Sequence, residues 1–180
     1  MKSHITRYDL MPIPAVETQT EYFDAGAIAI GVEYRLLNDA IAAASAVERA
    51  DGADAADVES FDDCGVSLHV YGMVDGERVE WLRFDCFTED PHYHYVCWRT
   101  RSNEMLHIDP VADGDPLAWA LERIRTRLPQ MLERAGAAEL AGAVDPRQLE
   151  SALPRIAEAA YRLRYQHDEG AILRGALGGS

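Results

Sequence analysis

VSLHVYGMV (residues 66–74), DG (75–76) and ERVEWLRFDCF (77–87) form the segment with the clearest structural pattern in the sequence. Both long runs are rich in β-branched and aromatic residues, which favour strands. Asp-Gly between two such runs is the strongest short-range signal for a β-hairpin. The sequence therefore predicts two antiparallel strands that are joined at Asp75 and Gly76.

The register of this hairpin decides which residues share a face, because a slip of one residue moves every side chain to the other face. A two-residue loop would pair Val70 with Trp81 and place charge on both faces. A three-residue loop that ends with Gly76 in the left-handed conformation gives one apolar face, which holds Val66, Leu68, Val70, Leu82, Phe84 and Cys86. The opposite face then holds His69, Tyr71, Met73, Val79, Trp81, Arg83 and Asp85. We therefore predict the three-residue loop.

Further strands precede and follow the hairpin. Apolar residues alternate from Ile28 to Leu36, which predicts a half-buried strand. After the hairpin, the segment from His92 to Trp98 predicts a strand with His92 and His94 on one face, and a shorter strand follows at residues 104–108. The sequence thus predicts an antiparallel meander of about five strands.

Beyond residue 109, the apolar period changes from two to about 3.6, which indicates helices. Asp115-Pro116 and Asp145-Pro146 each place an N-cap residue before a proline at the first helical position. Two apolar stripes follow, at Leu117, Leu121, Ile124, Leu128 and Met131 and at Leu149, Leu153, Ile156, Ala160 and Leu163. Pro129 and Pro154 lie inside the stripes and predict a kink or a break. We expect an α+β fold, with the sheet packed against two C-terminal helices.

The sequence predicts a single domain that is flanked by an N-terminal and a C-terminal segment of different character. Its 180 residues, 48% of them hydrophobic, suffice for a core without disulfides or metals. We expect an extended N-terminal lead-in at residues 1–25, one α+β domain at 26–166, and a flexible or partner-docking tail at 167–180. Inside the domain, residues 40–50 predict an alanine-rich helix and residues 48–63 an acidic, solvated loop.

Charge narrows the classes of partner, and the cysteine content and apolar runs indicate where the protein is located. The chain carries 17 basic and 31 acidic residues, a formal net charge of −14, which argues against nucleic acid and anionic membranes as partners. Its three cysteines form no Cys-x-x-Cys pair, and no run of 18 apolar residues occurs. We therefore expect an acidic cytoplasmic protein without a membrane span.

His92-x-His94 is the sharpest chemical feature, because imidazoles two residues apart on a strand project to the same side and can share a metal ion. The metal hypothesis takes His92, His94 and His107 as ligands of a transition metal such as zinc, iron or nickel, and Asp85 or Glu80 could complete the set. Hydrogen-bonded, stacked aromatic residues on a strand explain the same pattern without a metal.

Two other hypotheses use the same strands. His92 and His94 could act as general acid and base with Asp85 or Glu89 as the orienting carboxylate. Alternatively, the histidine-rich face could bind a ligand or a protein partner, through His69, Tyr71, Trp81, Arg83, His92, His94 and Trp98. Tyr93 and Tyr95 could join such an aromatic surface unless helices cover them.

The sequence favours a small binding or accessory protein of unassigned pathway. Its ligand or partner surface would be the aromatic and histidine-rich face of the sheet, and the partner would be a small molecule or a protein. We expect it to self-associate as a homo-oligomer through an exposed strand edge or the C-terminal tail. The alternative is a small enzyme that uses the histidine cluster, with or without a metal. No phosphate-binding loop, dinucleotide fingerprint or Gly-x-Ser-x-Gly motif occurs.

Overall fold

A single antiparallel sheet organises the part of the chain that the computed structural model describes, residues 5–38 and 63–177. The strands are β1 (Ile5–Tyr8), β2 (Glu21–Ala25), β3 (Ile28–Leu36), β4 (Cys64–Val74), β5 (Glu77–Phe87), β6 (His92–Cys97) and β7 (Ser102–His107). They lie in the order β1-β7-β6-β5-β4-β3-β2, and every neighbouring pair is antiparallel. The predicted meander is therefore present. Strand β1 pairs with β7 and forms one edge of the sheet.

Helices follow the sheet in the sequence. They are α1 (Pro110–Asp113), α2 (Pro116–Arg134), α3 (Ala138–Ala143) and α4 (Pro146–Leu177), and a 3-10 turn covers Glu17–Gln19. The α+β class and the antiparallel sheet are confirmed, but about five strands and two helices was too low a count. The missed strands β1 and β2 lie in the predicted lead-in. Strand β1 pairs with residues much later in the chain, Ile5 with Leu106 for example. The pairing therefore depends on distant residues, and no local sequence pattern indicates a strand at β1.

The central hairpin reaches the predicted register by a different route. Val74 pairs with Glu77, so the loop has two residues, and Asp75 and Gly76 adopt φ values of 51° and 84°. This is a two-residue turn with both residues left-handed, so the three-residue loop was wrong. The register then shifts between Val70, which pairs with Leu82, and Tyr71, which pairs with Glu80. A β-bulge at Trp81 therefore supplies the extra residue that we had assigned to the loop.

Because of the bulge, the apolar pairings are the predicted ones. Val66 pairs with Cys86, Leu68 with Phe84, and Val70 with Leu82. On the opposite face, the bulge brings Glu80 across from Tyr71, where the three-residue loop predicts Trp81, and Val79 pairs with Gly72 instead of lying on that face. Trp81 packs against the hydrophobic core instead.

Helices α2 and α4 cover the apolar face of the sheet. Both begin as predicted, since the Asp115 carboxylate accepts from Ala118 N at 2.8 Å and Asp145 accepts from Arg147 N at 2.8 Å. Both helices continue through their internal prolines, so of the predicted kink or break the break does not occur. At Pro129, the fully buried neighbours Leu128 and Leu132 anchor the helix to the core, which offsets the lost backbone hydrogen bond.

The face of the sheet that points away from the helices is covered in part by residues 9–20, which we call the N-terminal strap. Val16 N and Thr20 Oγ1 donate to Glu33 Oε2 at 3.0 and 3.2 Å. Arg35 donates in return to the Ile13 carbonyl at 3.3 Å. Strand β3 is therefore buried on both faces, and the prediction of a half-buried strand was wrong for this reason.

Some predicted segments lie outside the described residues: the alanine-rich helix at 40–50 and the acidic loop at 48–63, except Asp63. The Asp63 carboxylate accepts from the backbone of Glu89 and Asp90 at 3.1 and 2.9 Å. Helix α4 extends through most of the predicted tail, where Leu173 is exposed. Among the described helices, none has the length and hydropathy that a membrane crossing requires.

Candidate metal centre

Charged and polar side chains are buried on the face of the sheet that points away from the helices, which we call the polar face. Eight such residues are buried: Glu33, Arg35, Ser67, His69, Arg83, Asp85, His94 and Asn103. They come from strands β3 to β7, so the antiparallel register collects them from segments that are far apart in the sequence. Buried charge on this scale needs partners, because an unpaired charge is strongly disfavoured in a protein interior.

A cavity of about 470 Å³ lies between the polar face and the N-terminal strap. Its polar lining is formed by Arg35, Asp63, Arg83, Asp85, Glu89, Asp90, His92, His94 and Asn103. Its apolar lining includes Leu10, Pro12, Ile13, Leu37, Phe87 and Met105. The volume falls in the range of small-molecule sites, about 300 to 1,000 Å³.

Asp85, His92 and His94 converge at this cavity, and we call these three residues the Asp85 cluster. Asp85 pairs with His92 across β5 and β6, and His94 is two residues further along the same strand. The Nε2 atoms of His92 and His94 each lie 3.4 Å from Asp85 Oδ2. One ligand atom from each residue lies within 4.8 Å of the others, as binding to a single metal ion requires.

The neighbours of both histidines fix which ring nitrogen carries the proton. His92 Nδ1 lies 2.7 Å from the Asp90 carbonyl, which can only accept, so Nδ1 is the donor. His94 Nδ1 lies 2.9 Å from Asn103 Oδ1, and the Asn103 amide nitrogen donates to the Leu10 carbonyl at 2.8 Å. That second bond orients the amide so that its oxygen faces His94. In their neutral forms, both histidines therefore present the lone pair of Nε2 to Asp85.

The Asp85 carboxylate is also held by a neighbour. Its Oδ1 accepts a short hydrogen bond from Ser67 Oγ, which leaves Oδ2 for the two histidines. Burial alone raises the pKa of this carboxyl. The histidines and the guanidinium groups of Arg83 and Arg35 outweigh that effect and hold the pKa well below its usual range. Asp85 is therefore an anion at neutral pH, although it is buried.

Two lone pairs that face one carboxylate oxygen repel it unless positive charge lies between them. A proton on His92 or His94 supplies that charge, and so does a metal ion bound by all three residues. Four ligands around a metal at bond lengths of about 2.1 Å are separated by about 3.4 Å in a tetrahedron, against about 3.0 Å in an octahedron. Two of the three separations in the Asp85 cluster are 3.4 Å, close to the tetrahedral value, and the third, between the histidine nitrogens, is within 4.8 Å.

A second ionic group lies beside the Asp85 cluster. The fully buried His69 places Nδ1 2.5 Å from Glu80 Oε1, and Arg83 binds both oxygens of Glu80 at 2.9 and 2.7 Å. His69 Nε2 is 3.3 Å from Glu33 Oε1 without the alignment of a hydrogen bond. Burial alone lowers the pKa of His69, but the two carboxylates outweigh it and raise that pKa. This group fixes Arg83 in place next to His94.

Comparison with family models gives one match: residues 22–160 fit a family described as Domain of unknown function (DUF7700). The chain belongs to the DUF7700 family. The matched DUF7700 range begins in β2 and ends in α4, so it contains the whole Asp85 cluster. No curated protein and no solved structure matches the chain.

The DUF7700 fold brings together only some of the site residues that the sequence predicts. His92, His94, Asp85 and Arg83 line the cavity. His107 does not join them, because its Nδ1 binds the Asp90 carboxylate at 2.7 Å and its side chain is half exposed.

The predicted aromatic surface is divided between the two sides of the sheet. His69 and Tyr71 lie on the polar face, with ring centroids 6.0 Å apart. Tyr93 and Tyr95 contact the helix-covered side instead, as does Trp81. Trp98 donates to the Glu80 carbonyl at 2.6 Å and so supports the bulged part of β5.

Sequence reasoning missed several residues that shape this DUF7700 site: Glu33, Arg35, Ser67 and Asn103. Glu33 and Arg35 alternate with the apolar residues of β3, and that alternation indicated a solvated face. The strap that buries them has no periodic signal of its own. Asn103 interrupts a strand, where asparagine is uncommon, and that departure is the one local signal of a special role.

Proposed function

We propose that this protein binds one divalent transition metal ion through Asp85, His92 and His94 and uses it to bind a small molecule in the adjacent cavity. The observation that carries the proposal is the convergence of two histidine Nε2 atoms on Asp85 Oδ2, each at 3.4 Å. Histidines that ligate metals usually donate their other ring nitrogen to a carbonyl or carboxylate. Both histidines of the cluster have such a partner on Nδ1.

The number of ligands supports a reactive rather than a purely structural metal. Structural zinc sites are closed by four protein ligands, whereas catalytic sites use three and keep one position open. Within the described residues the cluster has three ligands, and it borders the cavity. A metal held there would have an open position toward a bound molecule, so a metal-dependent enzyme is the reactive form of this proposal.

Metal analysis tests the proposal directly. The protein is expressed without a histidine tag, stripped with a chelator and titrated with Zn²⁺ in a calorimeter. We expect one equivalent to bind the wild type and none to bind the His92→Ala/His94→Ala double variant. His107→Ala is the matched control, because His107 is a neighbouring histidine outside the cluster and should leave one equivalent bound. Equal Zn²⁺ uptake by the wild type and the double variant contradicts the proposal, as does no uptake by the wild type.

A second candidate function is general acid–base chemistry without a metal. Burial alone lowers the pKa of His92, but Asp85 outweighs it and raises that pKa, which favours a protonated imidazole at the cavity. Titration of the His92 ring by NMR in chelator-treated protein, with Asp85→Asn as the comparison, tests this candidate. We expect the His92 pKa to fall in the variant. An unchanged pKa contradicts this role for Asp85.

A further inference from the structure

Arg83 has one guanidinium nitrogen, Nη1, that no described residue binds. The residue is 3% exposed, and its Nε and Nη2 atoms both donate to Glu80. Its Nη1 atom has no hydrogen-bond partner within residues 5–38 and 63–177. Arg83 lines the cavity and pairs with His94 across β5 and β6. A buried guanidinium with a free donor at a cavity is suited to an anionic group.

The rest of the cavity is suited to hydrocarbon. Six apolar residues contribute to its walls: Leu10, Pro12, Ile13, Leu37, Phe87 and Met105. The polar groups of Arg35 and Asn103 are largely taken, because they donate to carbonyl groups of the strap. Few donors are therefore left to solvate a second charged group, and transfer of the remaining apolar surface from water favours an apolar body.

We propose that the cavity binds a small molecule with one carboxylate group and an apolar body. The carboxylate would lie between Arg83 Nη1 and the metal at the Asp85 cluster, so this inference rests on the proposed function for one of its two contacts. A carboxylate has one oxygen for each contact. A phosphate would bring further charged oxygens, for which the apolar walls offer no donors. The metal also offsets the negative charge of Asp85, which otherwise repels an anion. Of the other acidic residues in the lining, Asp63 accepts from the amides of Glu89 and Asp90, and Asp90 pairs with His107.

Hexanoate is a suitable probe, and hexanamide is its uncharged match. The protein is loaded with Co²⁺, whose visible absorption reports the ligands around the ion, and each compound is titrated against that spectrum and in a calorimeter. We expect hexanoate to change the spectrum and to bind at least about tenfold more tightly than hexanamide, since charged hydrogen bonds are the strong ones. Inorganic phosphate should bind more weakly than hexanoate.

Two variants locate the hexanoate site. Arg83→Lys keeps the charge but loses the fixed planar donors, so we expect about tenfold weaker hexanoate binding with unchanged metal content. Arg78→Lys, on the exposed part of the same strand, is the matched control and should bind as the wild type does. Should Arg83→Lys fail to fold, Ile13→Trp fills the cavity from the strap without altering a charge. It should abolish hexanoate binding while the metal stays bound.

The outcomes separate this inference from the metal proposal, because hexanoate is titrated both with and without metal. Equal affinity for hexanoate and hexanamide overturns the inference, and so does tighter binding of phosphate than of hexanoate. Absence of hexanoate binding in both forms of the protein also overturns it. If no metal binds but hexanoate still binds in an Arg83-dependent way, the carboxylate site stands and the metal site is overturned.

Discussion

At the scale of single residues, Asn103 decides what His94 presents to the cavity. Its amide oxygen accepts from His94 Nδ1, and its amide nitrogen is held by the Leu10 carbonyl. The same amide thus connects the strap to the Asp85 cluster. In the same way, Ser67 orients Asp85 by donating to its carboxylate, and the Asp90 carbonyl orients His92 by accepting from its ring. Each of the three proposed ligands has a hydrogen-bond partner that fixes its orientation, and such partners raise metal affinity.

Replacement of Asn103 by alanine tests this role. We expect the Zn²⁺ affinity of Asn103→Ala to fall about 10- to 100-fold, because His94 loses the acceptor that fixes its tautomer. A competition titration with a chromophoric chelator measures the affinity, and circular dichroism checks the fold. Asn38→Ala, at an exposed position, is the control and should bind as the wild type does. Equal affinities for both variants would show that Asn103 does not orient His94 toward a metal.

The buried ion pair of His69 predicts how the unfolding free energy depends on pH. Burial lowers its pKa, but Glu80 and Glu33 outweigh burial, so the pKa in the folded protein is raised above the ordinary value of 6.5. A raised histidine pKa adds stability that is fully present below about pH 6.5 and is lost as the pH rises through the folded pKa. Across pH 6 to 9, the unfolding free energy of the wild type should therefore fall.

In His69→Gln this decline should be shallower, and the variant should be about 2 kcal/mol less stable at pH 6, where the buried pair is intact in the wild type. Urea denaturation in the presence of a chelator measures both quantities. His167→Gln replaces an exposed histidine outside the ionic group and should follow the pH dependence of the wild type. Parallel curves for His69→Gln and the wild type would contradict the ion pair of His69.

At the scale of elements, the bulge in β5 explains both the success and the failure of the sequence prediction. Alternation of apolar residues correctly paired Leu68 with Phe84, because burial of one face restricts the register to the pairings that keep it apolar. The alternation does not say where an extra residue lies. A three-residue loop and a bulge at Trp81 give the same strand pairing from Leu82 onward. They give different pairings only for the residues between the turn and Trp81. Glu80 lies in that interval, so its contact with His69 could not be predicted.

Deletion of Trp81 tests the position of the bulge. Without this residue, Tyr71 still pairs with Glu80 and Val70 with Leu82, so the ladder becomes regular and the polar face keeps its composition. We expect the deletion variant to fold and to bind Zn²⁺. Its stability should match that of Trp81→Ala within about 1 kcal/mol, both being about 3 kcal/mol below the wild type through lost packing. Thermal denaturation and Zn²⁺ titration measure this. Unfolding of the deletion variant alone would place the extra residue elsewhere.

At the scale of the whole molecule, the two faces of the sheet differ in how far the sequence reveals them. The helix-covered face follows from local periodicity, because α2 and α4 carry apolar stripes and N-caps at Asp115 and Asp145. The polar face depends on contacts between distant segments: the strap with Glu33 and Arg35, and β1 with β7. Such contacts leave no periodic trace. The paired histidines were therefore recognisable in the sequence, while the cavity beside them was not. Self-association stays a prediction, with β1 and β2 as the edges of the described sheet.

The strap completes the cavity, and Arg35 is its main anchor. The Arg35 guanidinium donates to the carbonyls of Ile13 and Pro14 at 3.3 to 3.4 Å. Hydrogen bonds to charged groups contribute about 1.5 to 3 kcal/mol each. In Arg35→Met, the strap should therefore open more often, and chymotrypsin should cut near Leu10 at least about tenfold faster than in the wild type.

Mass spectrometry of the first fragments measures the rate and the position of this cut. Arg125→Met is the matched control, because Arg125 forms a half-exposed pair with Glu150 on the helices and does not touch the strap. Its cleavage near Leu10 should match that of the wild type. The same rate in all three proteins would mean that Arg35 does not hold the strap. Faster cutting across the whole of Arg35→Met would instead mean that Arg35 stabilises the entire sheet, since the strap can open alone only if the domain beneath it stays folded.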